Sequence, residues 1–256
     1  FGSSSVNGSM LRATVLQGKG RALLAAADVQ AGGVLLLEAP LLCTALPGAR
    51  HACGRCLGDA AEFCELCDEG TCSTCGPHAC PLPDTGEQEL RSSIWYRLYE
   101  KYAERLLEEA EVDWAAFVRV PTYVYEGWEK FAAAAELFVE PVRRRLDARV
   151  PTGSAAARAL TEDGFLDFYR LARANATAVS DRGSAIFQTH ACFNHSCAPN
   201  AVALRLLDLT ELAELAAAGG RRLHPGTIVV LADRNIATGE EVCISYTGEG
   251  ETYEDL

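Results

Sequence analysis

The sequence lacks the long apolar run and the basic excess that mark membrane-spanning and nucleic-acid-binding chains. Its longest apolar stretch, residues 34–42, is interrupted by Glu38 and Pro40, so it falls far short of the roughly 20 residues that a membrane helix needs. Lys and Arg number 23 against 35 Asp and Glu, which gives a net charge of −12 at pH 7. Phosphate contacts supply most of the affinity for nucleic acid and need a basic face. We therefore expect no membrane and no direct nucleic acid partner, and a basic partner is favoured instead.

The sequence also lacks a secretory signal at its start and the composition of a disordered or fibrous chain. Residues 1–9 contain neither the basic region nor the apolar region of a secretory signal, so we expect a reducing compartment. The chain of 256 residues is 49% hydrophobic, which excludes a disordered protein, and its 22 Gly and 10 Pro follow no period, which excludes a fibrous one. This length suffices for one large domain or for a domain that carries a small module.

Cysteine is plentiful and unevenly distributed. Seven of the eleven cysteines fall within residues 53–80, which is typical of a metal module rather than of a disulfide framework. Three Cys-x2-Cys pairs are followed by a histidine and a cysteine, and the eight candidate ligands are Cys53, Cys56, Cys64, Cys67, Cys72, Cys75, His78 and Cys80. Because tetrahedral zinc takes four such ligands, eight predict two Zn²⁺ ions, and closed four-ligand sites indicate a structural role. The spacing leaves open which pairs share an ion.

Apolar periodicity predicts strands, then the cysteine block, then helices, then strands again. Short apolar runs bounded by turn residues predict strands, at residues 11–16, 22–27, 34–37, 201–207, 227–232 and 241–246. Apolar residues at helical spacing predict two helices, with the stripes Trp95, Leu98, Tyr99, Tyr102, Leu106 and Trp128, Phe131, Ala132, Ala135, Phe138, Val139. We expect Pro141 to end the second helix or to open another over residues 142–149, and a further helix over residues 161–176. Residues 210–218 are interpreted as an Ala/Leu/Glu-rich insertion.

The most specific strings lie in the last quarter of the sequence. Asn-His-Ser-Cys-Ala-Pro-Asn occupies residues 194–200, and Gly-Glu-Glu-Val-Cys-Ile-Ser-Tyr occupies residues 239–246. Burying so polar a segment is costly unless its donors are satisfied, so the first string should hold a ligand or cap a turn. Taken by itself, His195 is favoured as a hydrogen-bonded structural residue over a catalytic one by about three to one. Nothing indicates an activated thiolate at Cys197, which disfavours a Cys-His nucleophile.

Together, the two strings resemble the SET domain of protein-lysine methyltransferases. The resemblance implies an α+β chain with a SET-domain β-fold, in which small sheets carry a C-terminal pseudoknot formed by these two strings. It also implies that Asn194 and His195 contact the cofactor S-adenosylmethionine and that Tyr246 is catalytic at the methyl-transfer channel.

Three other segments match the family less closely. Residues 20–25 resemble the Gly-x-Gly-Leu-x-Ala loop, whose backbone borders the cofactor, and this implies cofactor contacts for Lys19, Gly20 and Arg21. Ala22 stands where the family has a second glycine, and its methyl group would be a liability if that position needed a positive φ. Asn175 resembles an asparagine that touches the methionine end of the cofactor, and Phe187 is expected near the lysine channel together with Tyr246.

The cysteine block resembles the MYND zinc finger. This resemblance implies one zinc held by Cys53, Cys56, Cys72 and Cys75 and a second, less closely matched site at Cys64, Cys67, His78 and Cys80, because MYND fingers space their last ligands further apart. The order of segments resembles the SET-and-MYND-domain subfamily. It implies an N-terminal SET portion over residues 10–50, the finger over 51–83, a helical insertion over 84–173 and the core SET region over 174–256.

The resemblance implies a protein-lysine N-methyltransferase that depends on S-adenosylmethionine. We expect a basic, lysine-containing substrate such as a histone tail, a monomeric protein, and a location in the nucleus, the cytoplasm or both. No Cys-x-Cys-x2-Cys segment follows Tyr246, so we expect no third zinc at Cys197, and the chain is interpreted as truncated there or as a reduced member of the family. The competing hypothesis is a catalytically weak or inactive SET/MYND protein-interaction module, which Ala22 and the closely spaced last ligands favour.

Overall fold

The computed structural model describes residues 10–76, 80, 86–108, 128–206 and 223–246. In chain order, the strands are β1 (Leu11–Leu16), β2 (Gly20–Ala25), β3 (Val34–Glu38), β4 (Leu42–Ala45), β5 (Glu62–Cys64), β6 (Glu69–Thr71), β7 (Ala176–Val179), β8 (Gly183–Ile186), β9 (Asn194–His195), β10 (Ala201–Arg205), β11 (Ile228–Ala232) and β12 (Cys243–Ile244). The helices are α1 (Gly86–Leu90), α2 (Ile94–Glu108), α3 (Trp128–Leu146), α4 (Ala155–Ala159) and α5 (Glu162–Asn175). Among these described helices, none is both long and apolar enough to cross a membrane.

The chain divides into two compact units. The first contains residues 1–39 and 188–256, and the second contains residues 40–187. The first unit therefore has β1 to β3 and β9 to β12, and the second has the remaining strands and the five helices.

Small sheets form the first unit. Strands β1 and β2 make an antiparallel hairpin, β10, β11 and β3 make an antiparallel sheet in that order, and β9 pairs in parallel with β12. Gly18 and Gly20 adopt positive φ values of 80° and 76° in the hairpin turn, a conformation that glycine adopts without steric cost. The core of the unit is apolar and includes Leu23, Leu35, Phe193, Val230 and Ile244.

Helices pack on a small sheet in the second unit. Strands β4, β8 and β7 form an antiparallel sheet, and β5 and β6 form a separate hairpin among the cysteines. Tyr99 of α2 is fully buried, lies edge-on to Phe165 at 5.0 Å between ring centroids, and donates its hydroxyl to the carbonyl of Ala159 (2.8 Å). Helix α5 begins after Thr161, whose side chain caps the N–H of Gly164.

The prediction for Pro141 was wrong. Helix α3 continues through Pro141 to Leu146, and the residues on its buried face, Ala135, Val139, Val142 and Leu146, lie on both sides of the proline. A proline lacks the N–H that would bond to the carbonyl four residues earlier. That carbonyl belongs to Leu137, whose side chain is 62% exposed, so solvent can satisfy it there and the packed face holds the helix together.

Other elements differ from the prediction in length, or were not predicted. The strand predicted over residues 241–246 is only the two-residue β12, while β4, β7 and β8 were not predicted. Of the first helical stripe, Leu98, Tyr99 and Leu106 are buried. The side chains of Trp128, Phe131 and Ala132, and the insertion expected at residues 210–218, lie outside the described residues.

Candidate active site and metal centres

The two polar strings lie side by side in the first unit. Asn194 is opposite Cys243 and His195 is opposite Ile244 in the parallel β9–β12 pair. Asn200, which is 4% exposed, accepts the N–H of Cys243 at Oδ1 (2.8 Å) and donates from Nδ2 to the carbonyl of Glu241 (2.8 Å). Since strands of two residues have little stability of their own, these side-chain bonds hold the pair together.

Tyr246 is fixed at both its backbone and its hydroxyl. Its N–H donates to Nδ1 of His195 (3.0 Å), and its hydroxyl donates to the carbonyl of Phe193 (2.5 Å). Because Nδ1 of His195 accepts a hydrogen bond, the proton of the neutral imidazole is assigned to Nε2, which faces Sγ of Cys197 at 3.3 Å. The rings of His195 and Tyr246 lie 5.4 Å apart. The structure thus brings the predicted cofactor contact and the predicted catalytic residue together.

The environment of Tyr246 keeps its phenol protonated. Partial burial raises the pKa of Tyr246, and the nearby thiols of Cys243 and Cys192 raise it further when they ionise. The residue as a whole is nevertheless 56% exposed. Its hydroxyl is therefore oriented by Phe193 while much of its ring remains accessible.

The turn between β1 and β2 meets the same region. Nζ of Lys19 lies 2.5 Å from Oε2 of Glu241, and Nδ2 of Asn194 donates both to Oε1 of Glu241 (2.8 Å) and to the carbonyl of Arg21 (3.1 Å). Sequence reasoning did not single out Glu241, although the Glu-Glu pair of the second string was visible.

Ala22 causes no strain. It is fully buried in β2, where it is paired with Thr14. The non-glycine residues with positive φ are Leu57, Asp68 and Ser180 among those that the structure describes, so Ala22 needs no left-handed conformation. The positive φ belongs to Gly20 instead.

Two predicted site residues belong to the second unit. Asn175 is the last residue of α5, is partly buried, and donates Nδ2 to the carbonyl of Leu171 (2.8 Å). Phe187 is fully buried. Lys19, Gly20, Arg21, Asn194, His195 and Tyr246 all belong to the first unit.

Four cysteines of the second unit converge on one point. The sulfurs of Cys53, Cys56, Cys72 and Cys75 all lie within 4.8 Å of one another, and those of Cys56 and Cys72 are 3.6 Å apart. A tetrahedron with Zn–S bonds of about 2.3 Å has edges of about 3.8 Å, so this spacing fits a zinc ion. A hydrogen bond from Cys56 lowers the pKa of Cys53 to about 4 and raises the pKa of Cys56 itself, as expected when thiols are this close.

A second cysteine group contains Cys64, Cys67 and Cys80, whose sulfurs also lie within 4.8 Å of one another. The fourth predicted ligand, His78, lies outside the described residues. Three thiol donors at this separation are compatible with a metal ion.

All three Cys-x2-Cys pairs share one backbone feature. The residue directly after the second cysteine has a positive φ in each pair: 64° at Leu57, 53° at Asp68 and 78° at Gly76. The N–H groups of Leu57 and Gly76 donate to the carbonyls of Cys53 and Cys72, four residues earlier. These tight turns direct both cysteines of a pair to the same side, and the left-handed residue at 57, a leucine, is held there by the surrounding structure.

A buried ion cluster lies next to the second cysteine group. Arg91, which is 2% exposed, donates Nε to the carbonyl of Cys67 (2.7 Å) and forms ion pairs with Glu69 (2.9 Å) and Glu100 (2.6 Å). Lys101 also pairs with Glu69 (2.9 Å), and Arg97 pairs with Asp68. Sequence reasoning missed this cluster, because its members are spread over the cysteine block and α2 without a recognisable spacing.

Comparison with known proteins identifies one family. The SET domain model matches residues 20–247. Similar solved structures include the SET domain of LSMT bound to lysine and AdoHcy, at 15% identity and a TM-score of 0.44 over 94% of this chain and 50% of that one. They also include Rubisco LSMT bound to AdoMet, at 14% identity and a TM-score of 0.42 over 94% of this chain and 49% of that one.

The chain spans about half the length of these solved structures. No curated protein is significantly similar to it. The family match covers well over half of the chain and includes both polar strings, so the chain belongs to the SET domain family.

Proposed function

We propose that the protein is an S-adenosylmethionine-dependent protein-lysine N-methyltransferase with Tyr246 as its catalytic residue. The observation that carries this proposal is the junction of the two polar strings, where His195 accepts the N–H of Tyr246 and Phe193 accepts its hydroxyl. Membership of the SET family supports it. We further propose a basic, lysine-containing substrate such as a histone tail, a monomeric state, and a location in the nucleus, the cytoplasm or both.

The groups beside the hairpin turn fit a cofactor that carries an amine, a carboxylate and a nucleobase. Both acceptors facing Asn194 bind its Nδ2, so its Oδ1 points the other way and suits an N–H donor of a ligand. A side chain built at Gly20 would meet no atom of the described residues within 4 Å, so among them the backbone is open to close approach. Lys19, Gly20, Arg21, Asn194 and His195 would hold S-adenosylmethionine, with Asn175 as a further contact. When bound, this cofactor supplies a sulfonium methyl group.

The mechanism that these residues support is mostly positioning. The Tyr246 hydroxyl donates its hydrogen bond to the carbonyl of Phe193. The lone pairs of the hydroxyl oxygen are therefore available to accept an N–H of the substrate lysine. This contact would orient the substrate amine, and the bound cofactor would supply the methyl group that the nitrogen accepts. The raised pKa of Tyr246 keeps the phenol neutral. Because only a neutral lysine amine is nucleophilic and its pKa is about 10.4 in water, we expect activity to rise towards alkaline pH.

Methyl transfer from labelled S-adenosylmethionine to core histones and to a cell lysate tests the proposal. We expect label with the wild-type chain and a loss of about 100-fold or more with Tyr246→Phe, because the phenyl ring cannot accept an N–H. Tyr102→Phe makes the same chemical change on α2, where the ring stacks on Phe168 at 4.7 Å, and should keep normal turnover. Equal turnover in wild type and Tyr246→Phe would remove the assignment of Tyr246. No label and no cofactor binding would favour the interaction module.

We also propose that the two cysteine groups are structural zinc sites of a MYND-type finger, with His78 completing the second. Four thiol donors at tetrahedral spacing support the first site, and three thiol donors support the second. With four protein ligands each, the two sites would leave no coordination position for substrate. We further propose that the N-terminal SET portion spans residues 10–50, the finger 51–83, the helical insertion 84–173 and the core SET region 174–256.

A further inference from the structure

The carboxylate of Glu241 contacts two groups that we propose as cofactor contacts. One carboxylate oxygen, Oε2, pairs with Nζ of Lys19 at 2.5 Å, and the other, Oε1, accepts Nδ2 of Asn194 at 2.8 Å. Lys19 comes from the hairpin turn, and Asn194 comes from the first polar string. A single side chain therefore sets the distance between two segments that are far apart in the sequence.

The backbone around Glu241 is held rigidly. The N–H of Ala25 donates to the carbonyl of Glu240 (2.9 Å), the N–H of Val242 donates to the carbonyl of Leu23 (2.8 Å), and the carbonyl of Glu241 accepts Nδ2 of Asn200 (2.8 Å). These bonds leave the carboxylate with few alternative positions. Groups held by such a supporting shell impose their geometry on the residues they contact.

The carboxylate remains charged. Partial burial would raise the pKa of Glu241, but hydrogen bonds from Lys19 and Asn194 outweigh this effect and lower it. The hydrogen bond and the charge of the same carboxylate raise the pKa of Lys19. The contact is therefore a charge-assisted pair over the accessible pH range.

We infer that Glu241 is a positioning residue of the cofactor site, acting through Lys19 and Asn194 rather than by touching the reacting atoms. It fixes the amide of Asn194 with Oδ1 outward and keeps the Lys19 ammonium at the rim of the same site. This inference rests on the proposed function. Its consequence is specific: loss of the charge should weaken cofactor binding and leave the chemical step almost unchanged, because Tyr246 is held by His195 and Phe193 instead.

The neighbouring carboxylate provides a matched control. Glu240 accepts Nη2 of Arg234 (2.6 Å), Nδ2 of Asn200 (3.0 Å) and the N–H of Ala237 (3.1 Å). None of these groups is a proposed cofactor contact. Glu240 is the sequence neighbour of Glu241 and is equally well bonded, but it lies outside the proposed cofactor site. Glu240→Gln therefore removes a comparable charge without changing a cofactor contact.

The experiment measures the Kd of S-adenosylhomocysteine by calorimetry, and the KM of S-adenosylmethionine and kcat by methyl transfer, on the full chain. We expect Glu241→Gln to raise Kd and KM about ten-fold with kcat changed less than about two-fold, and Glu240→Gln to leave all three within about two-fold. Lys19→Met should also raise Kd about ten-fold. In the Lys19→Met background, Glu241→Gln should cost less than it does in wild type, because the two groups act as a unit.

The outcomes separate this inference from the proposed function. Wild type that binds no S-adenosylhomocysteine would overturn both. Wild-type binding with equal Kd values for Glu241→Gln and Glu240→Gln, or with independent effects of Lys19→Met and Glu241→Gln, would overturn the inference alone. If Glu241→Gln does not fold, the Lys19→Met arm decides, since an unchanged Kd there contradicts the proposed pair.

Discussion

The buried ion cluster beside the second cysteine group gives a sharp stability prediction for Arg91→Met. The guanidinium of Arg91 binds Glu69 and Glu100, which are 3% and 1% exposed, and the carbonyl of Cys67. Removing one partner of a buried ion pair costs roughly 3–5 kcal/mol, because a desolvated charge loses its counterion. Lys101 still pairs with Glu69 and Arg145 with Glu100, so we expect the lower end, a loss of about 3 kcal/mol in the free energy of unfolding.

Arg50→Met is the matched control, because the guanidinium of Arg50 also makes two charge-assisted bonds to carboxylate oxygens, here Oε1 (2.6 Å) and Oε2 (2.8 Å) of the single residue Glu65. The side chains of this pair are 66% and 68% exposed, and such surface pairs contribute roughly 0–1 kcal/mol. Urea unfolding followed by circular dichroism measures both variants. A loss below about 1 kcal/mol for Arg91→Met, or losses that are equal in the two variants, would refute the reasoning from desolvation.

Two further predictions concern metal and pH. Metal analysis of the purified protein should give two zinc ions per chain in wild type and about one in Cys53→Ser. The control Cys43→Ser changes a buried thiol outside both groups and should keep two. Two ions in Cys53→Ser would contradict the first site. His190 is 9% exposed, and burial, with the charge of Arg205, lowers its pKa from 6.5 to about 4. Because the unfolded chain binds this proton first, stability falls as pH drops from about 6.5 towards 4, by up to ~3 kcal/mol. Melting curves of His190→Gln should lack this part of the pH dependence, and an unchanged slope would contradict the assignment.

Local sequence signals predicted those elements whose apolar runs are long and bounded by turns. The strands β1, β3, β10 and β11 fall where such runs were identified. Strand β7 has the sequence Ala-Thr-Ala-Val and follows α5 without a break, so only its pairing with β8 makes it a strand. Tertiary pairing of this kind leaves no local trace.

The same limit applies to the site. The strings containing Asn194, His195 and Tyr246 were recognisable by their residues, but the contacts that join them extend over 51 positions between His195 and Tyr246. Glu241 lies in a Glu-Glu pair that is indistinguishable in sequence from a solvated turn. Its position between Lys19 and Asn194 emerges only when the hairpin turn and the first string come together.

Hydrogen-bond capacity separates the two asparagines of the first polar string. Asn200 is buried and uses its amide entirely within the unit: Nδ2 donates to the Glu240 carboxylate and the Glu241 carbonyl, and Oδ1 accepts the N–H of Cys243. Asn194 is only partly buried, and both of its identified bonds are made by Nδ2. An amide whose two faces are occupied stabilises the fold, whereas one that is locked on its donor side presents a fixed acceptor. The residue type is the same, so the distinction between a structural and a ligand-binding asparagine follows from the acceptors that surround each donor rather than from the motif.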